Sequence, residues 1–152
     1  MKYLKIFERI YGQDEVRLKE FCEETLAYLL DDGDFKLRFT VMAYDKVHIH
    51  LNKTDKKPFE WDDISSDFIY LIELLKTQRK GNDKNGYSLN FKLANYINFD
   101  RKHVKIMSYK DINTTGNSSG RVYTVSDIID DNIEEFNRHN INEISFMVKL
   151  IK

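Results

Sequence analysis

Phe35-Lys36-Leu37-Arg38-Phe39-Thr40-Val41, followed after a short gap by Val47-His48-Ile49-His50-Leu51, decides the fold class. Both runs alternate apolar and polar side chains, the period of a strand with one buried and one solvated face. A slip of one residue would exchange the faces, so the connection must keep Leu37, Phe39 and Val41 beside Val47, Ile49 and Leu51. A loop with an odd number of residues meets this condition. Ala43-Tyr44-Asp45 as a three-residue turn predicts Arg38 opposite His50 and Thr40 opposite His48, all on the polar face.

Upstream of this hairpin, Leu18, Phe21, Cys22, Thr25, Leu26 and Leu29 recur at three- and four-residue spacing, which predicts a helix over 14–32. Asp14 is its expected cap, and Gly33 its expected left-handed stop. Downstream, Trp61, Ile64, Phe68, Leu71, Ile72 and Leu75 form a second stripe. Acidic residues gather at the start of that helix and Lys76, Arg79 and Lys80 at its end, matching the helix dipole, with Gly81 as the expected stop. Tyr87, Leu89, Phe91 and Leu93 predict a third strand. A turn near Asp100-Arg101-Lys102 and a fourth strand over 103–109 are expected next, and then a polar loop over 113–120. A short strand over 121–125, a helix capped by Ser126 and reaching Arg138 through Ile129, Ile133 and Phe136, and a strand through Ile144, Phe146, Val148 and Leu150 complete the chain. The expected class is α+β: one domain over 1–152, with an antiparallel sheet of five to six strands and two to three helices on one face, ferredoxin-like or a related sandwich.

The 152 residues suffice for one domain that buries roughly 70% of its unfolded surface. A hydrophobic fraction of 41% argues against disorder of the whole chain. No apolar run approaches the length of a membrane span, and the charged N-terminal stretch does not read as a secretory signal. The single Cys22 excludes a disulfide framework and a thiolate zinc site, and its place on an apolar stripe reads as core. The net charge of −1 excludes a uniformly basic coat and a strongly acidic nucleic-acid mimic. It is a cancellation, since residues 1–75 carry −5, residues 76–110 carry +7 and residues 111–152 carry −3.

That basic middle supplies the expected partner-binding residues: Lys76, Arg79, Lys80, Lys92, Arg101, Lys102 and Lys105. Tyr96, Phe99 and Tyr109 interleave with them, a pattern that suits phosphates and bases or an acidic protein surface. The alternative chemistry lies in His48-Ile49-His50, whose imidazoles point the same way from one strand. A shared metal would need a third ligand, for which His103 and Asp100 are the candidates, and the expectation is no metal and no cofactor. Asp62, Asp63 and Asp67 read as residues that complement a helix dipole.

His48-Ile49-His50-Leu51 and His103-Val104-Lys105-Ile106 together faintly resemble the paired motifs of two-histidine phosphodiesterases. In that family each His is followed two residues later by Thr or Ser; His50 and Lys105 stand in those places here. The resemblance implies His48 and His103 as acid and base. Met1-Lys2-Tyr3-Leu4-Lys5-Ile6-Phe7-Glu8 and the stretch from Phe59-Glu60-Trp61-Asp62-Asp63-Ile64 to Leu75 resemble segments of small accessory proteins of tailed bacteriophages with AT-rich genomes. That resemblance implies a viral accessory protein; with a segregated basic surface and no coherent catalytic set, the expectation is a non-enzymatic protein in the host cytoplasm that binds a host protein or nucleoprotein complex, an inhibitor of defence or transcription. A minor virion or head-packaged component is the alternative, and a phosphodiesterase using His48 and His103 the second.

Overall fold

The computed structural model describes residues 13–77, 80–82, 88–100 and 120–151. The elements are α1 (Gln13–Thr25), α2 (Ala27–Leu30), β1 (Phe35–Met42), β2 (Lys46–Lys53), α3 (Trp61–Thr77), β3 (Lys80–Asn82), β4 (Ser88–Asp100), β5 (Gly120–Thr124), α4 (Val125–Ile129), a 3-10 turn (Glu135–Arg138) and β6 (Glu143–Leu150). The expected strand over 103–109, the turn residues Arg101 and Lys102, and the polar loop through 119 lie outside the described residues, as do residues 1–8.

The hairpin has the parity that its alternation requires. β1 and β2 are joined by 43–45, and Phe39 pairs with Ile49, Arg38 with His50 and Thr40 with His48. Tyr44 and Asp45 take positive φ at the tip, as a three-residue reversal demands. At the other end, Gly33 sits at φ +77° and its carbonyl accepts the Thr54 hydroxyl. The last strand of the sequence is central in space: the order is β1-β2-β6-β4-β3, with β5 also paired to β4. β6 is antiparallel to both neighbours, placing Phe146 between Ile49 and Ile97, and Ile144 between Leu51 and Phe99.

These strand residues and the apolar stripes of the helices belong to one buried cluster. Its centre is a run of rings: Phe146 lies 5.8 Å from Phe68, Phe68 5.9 Å from Trp61, Trp61 5.3 Å from Phe99, and Phe99 5.1 Å from Tyr123. Three of the four contacts are edge-on, the geometry that the ring quadrupole favours, each adding about 1 kcal/mol beyond burial. α1 and α2 together form the expected first helix, interrupted at Leu26, and Leu18, Cys22, Leu26 and Leu29 are all buried as its stripe requires.

Three expectations are corrected. Lys80 and Gly81 belong to β3, so Gly81 does not stop α3, whose described turns end at Thr77. The cap of the late helix is Thr124, whose hydroxyl accepts the Asp127 N–H while the Asp127 carboxylate accepts the Thr124 N–H. That helix then lasts only five residues. The Asp131 N–H bonds the Ile128 carbonyl, the Asn132 N–H bonds the Asp127 carbonyl, and Asp131 stands at φ +53°, which together make a Schellman ending. Asp131 holds this conformation because its Oδ1 accepts the buried Trp61 Nε1–H at 2.7 Å and Arg138 Nη2 at 3.2 Å. Past that point the chain runs as a 3-10 turn, so Phe136 is 61% exposed while Asn137 turns inward to the Tyr123 hydroxyl.

Candidate functional site

The sheet face away from the helices carries the polar halves of the alternating strands. His48 and His50 lie side by side there, with ring centroids 4.2 Å apart and planes inclined at 50°. Across β1 they face Thr40 and Arg38, and across β6 they face Met147 and Ser145. Glu143 reaches this group from β6. Its Oε1 lies 3.3 Å from Arg38 Nη2, and its Oε2 lies 3.4 Å from His50 Nδ1. The second approach is at ion-pair distance but off hydrogen-bond alignment. Burial, then the neighbouring imidazole, and more weakly the Arg38 guanidinium hold His48 below its ordinary value, against the opposing pull of Glu143.

No group of three His, Cys, Asp or Glu residues placed to hold a metal occurs among the described residues. Asp100 pairs with Glu143 and so occupies the neighbouring row of the sheet. His103 lies outside the described residues, so the His48–His103 pairing rests on sequence alone. Glu143 was not expected here. Its position follows only from β6 pairing with β2, which no local pattern announces.

A second constellation stands at one end of the same sheet. Lys46 pairs with Lys149, and Lys149 pairs with Lys92, so three lysines lie directly opposite one another on three adjacent strands. Like charges in that relation destabilise a sheet unless another charge offsets them. Lys92 and Lys149 are exposed and Lys46 is half-buried, and none of the three is in an ion pair among the described residues. Lys76, exposed near the end of α3, lines one pocket together with Lys92.

That pocket is a notch. Among the described residues, β3 pairs with β4 as far as Asn90 and β5 from Tyr96, leaving residues 91–95 of β4 between the two pairings. Within this gap β4 bulges: Leu93 and Ile97 pair with Val148 and Phe146, so three residues of β4 oppose Met147 alone. The bulge aims Asn95 at the start of α4, where its Oδ1 accepts the Val125 N–H at 3.4 Å. The resulting pocket of about 220 Å³ is lined by Leu75, Leu93 and Val125, with Lys76, Lys92, Asn95 and Ser126 also contributing. Tyr96, in the bulge, is 65% exposed.

Of the expected basic residues, Lys76 and Lys92 thus converge on one pocket. Lys80 is placed by its backbone in β3, and Arg79, Arg101, Lys102 and Lys105 lie outside the described residues. Lys46 and Lys149 were missed because each sits in a segment of net negative charge; only strand pairing brings them beside Lys92. Cys22 is fully buried, and burial pushes its thiol far above the ordinary range. Asp63 accepts the Glu60 N–H at 3.1 Å, as a residue at a helix start does.

One further charged group ties the late loop to α3. His139 donates from Nδ1 to Glu60 at 2.8 Å and from Nε2 to Glu135 at 2.9 Å. Both partners are carboxylates, so both ring nitrogens carry protons in this arrangement, and the bonds to Glu135 and then Glu60 raise the imidazole above its ordinary value. No helix among the described residues is long and apolar enough to cross a membrane. No family model, curated protein or solved structure matches the chain.

Proposed function

We propose that this chain is a small non-enzymatic binding protein that presents a cationic sheet end to an anionic surface of a host macromolecule. The single observation that carries the reading is the register row Lys46–Lys149–Lys92. Three ammonium groups held opposite one another repel, and with no ion pair to offset them among the described residues such a row gains most when an external anion arrives. The resemblance of the stretch over 59–75 to small phage proteins supports a viral accessory protein, for which a host macromolecule is the natural partner. Among the described residues, the Arg38–Glu143–His50 contacts beside His48 support a packed polar cluster on this face.

The experiment is affinity capture from bacterial lysate with the full chain and a Lys46→Glu/Lys92→Glu/Lys149→Glu variant, each checked for native circular dichroism. The reading expects a discrete partner that the variant loses and that moderate salt releases. Capture of the same partner by both proteins would show that the lysine row is not the interface.

A further inference from the structure

The geometry points to single-stranded nucleic acid as the anionic partner, an assignment that rests on the cationic-face reading and names its ligand class. The lysines form a track and not a cluster. Neighbouring strands are about 4.8 Å apart, so Lys46, Lys149 and Lys92 span about 10 Å across the sheet end, and Lys76 shares a pocket with Lys92 at the end of that line. A linear array of flexible ammonium groups matches the repeating charge of a phosphodiester backbone, which Lys contacts without regard to sequence.

An acidic protein surface would use the track but has no need of what lies beside it. At the Lys92–Lys76 end the track meets the notch, whose lining combines Leu75, Leu93 and Val125 with the Asn95 amide and the Ser126 hydroxyl. Its 220 Å³ lies below the ~300 Å³ at which pockets for drug-sized ligands begin, which suits one flat heteroaromatic ring. Asn95 spends its oxygen on the Val125 N–H, so its NH₂ is the group directed to a ligand acceptor. The exposed ring of Tyr96, the residue following Asn95, offers a stacking surface for a neighbouring base. A base enters such a notch only when it is out of a duplex stack, which is why a single strand is favoured over a double helix.

The test is fluorescence anisotropy on the full chain with four labelled probes: a 15-nucleotide oligo-dT, the matching oligo-U, a 15-base-pair duplex and an oligo-glutamate peptide. The expected result is saturable binding of a single strand, weaker binding of the duplex, and a slope of log affinity against log salt of about −2 to −3, at roughly 0.7 per neutralised phosphate. Lys46→Glu/Lys92→Glu/Lys149→Glu should lose more than tenfold in affinity, and the milder Lys92→Gln should reduce the salt slope by about one phosphate's worth. Tyr96→Ala should lose about five- to tenfold with the slope unchanged. Binding of the peptide without binding of either oligonucleotide overturns the nucleic-acid assignment and leaves the cationic-face reading standing. Binding of no probe, or equal binding by the charge-reversed variant, overturns both. Unchanged oligonucleotide affinity in Tyr96→Ala overturns the assignment to bases.

Discussion

Trp61→Phe tests how the late part of the chain is held. The indole is fully buried between Phe68 and Phe99, and its Nε1–H is donated to Asp131 Oδ1 at 2.7 Å. That carboxylate belongs to the positive-φ residue that ends α4, so one bond joins the start of α3 to the Schellman turn. Two losses add up. A hydrogen bond to a charged acceptor contributes about 1.5–3 kcal/mol, and the lower end applies because Asp131 is about half exposed and keeps Arg138 as a partner. Replacing indole by phenyl removes three ring atoms from a packed core, roughly 1.5–2 kcal/mol. The expected destabilisation is therefore about 3 kcal/mol, or roughly 6–12 °C in Tm for a chain of this length.

Trp61 is the only tryptophan, so the substitution removes the usual fluorescence signal and urea unfolding must be followed by far-UV circular dichroism. A cycle with Asp131→Ala should give a coupling of about 1 kcal/mol or more. A loss below 1 kcal/mol for Trp61→Phe, or no coupling to Asp131, would refute the argument.

Three further outcomes are expected. The Glu135 and Glu60 carboxylates raise His139, so its contribution to stability is fully present below the ordinary value of 6.5 and is lost as pH rises through the higher folded value. An NMR titration should find its midpoint above 6.5, and His139→Gln should flatten that part of the profile of Tm against pH; a midpoint at or below 6.5 would contradict the geometry. Native Cys22 should resist a thiol reagent that labels the urea-unfolded chain at once, because the thiol is fully buried and held protonated. Gly33→Ala should cost about 1–2 kcal/mol by equilibrium unfolding: space is open around its Cα, and the penalty comes from φ +77° alone. A neutral substitution there would show that the turn has an alternative conformation.

Local periodicity explains which parts of the fold were legible in advance. The alternation of β1 and β2 set both their faces and their register, since parity leaves no second solution for a three-residue turn. The stripe from Trp61 to Leu75 is buried at each of its six positions, because a 3.6-residue repeat has only one apolar face to offer. The late helix is shorter than its local spacing predicts. Ile129, Ile133 and Phe136 keep helical spacing, but Asp131 is drawn into a left-handed turn by the indole of a residue 70 positions away. No window of sequence contains that partner.

The candidate site divides along the same line. The basic stretch 76–110 was visible as charge, and Lys76 and Lys92 do meet at the notch. Lys46 and Lys149 were hidden because charge counted along the chain averages over neighbours in sequence, whereas repulsion depends on neighbours in space. Glu143 beside His50 was hidden for the same reason.

The sequence by itself determined the class of the fold, the polar and apolar faces of its strands, the hairpin register and the buried stripe of α3. Each of these depends on contacts within a few residues of chain. Only the tertiary structure decided that the last strand lies in the middle of the sheet. That single placement sets Lys149 between Lys46 and Lys92 and brings Glu143 to the histidines. Which strands pair across long separations depends on how the whole core closes, and alternation alone cannot distinguish one apolar strand face from another.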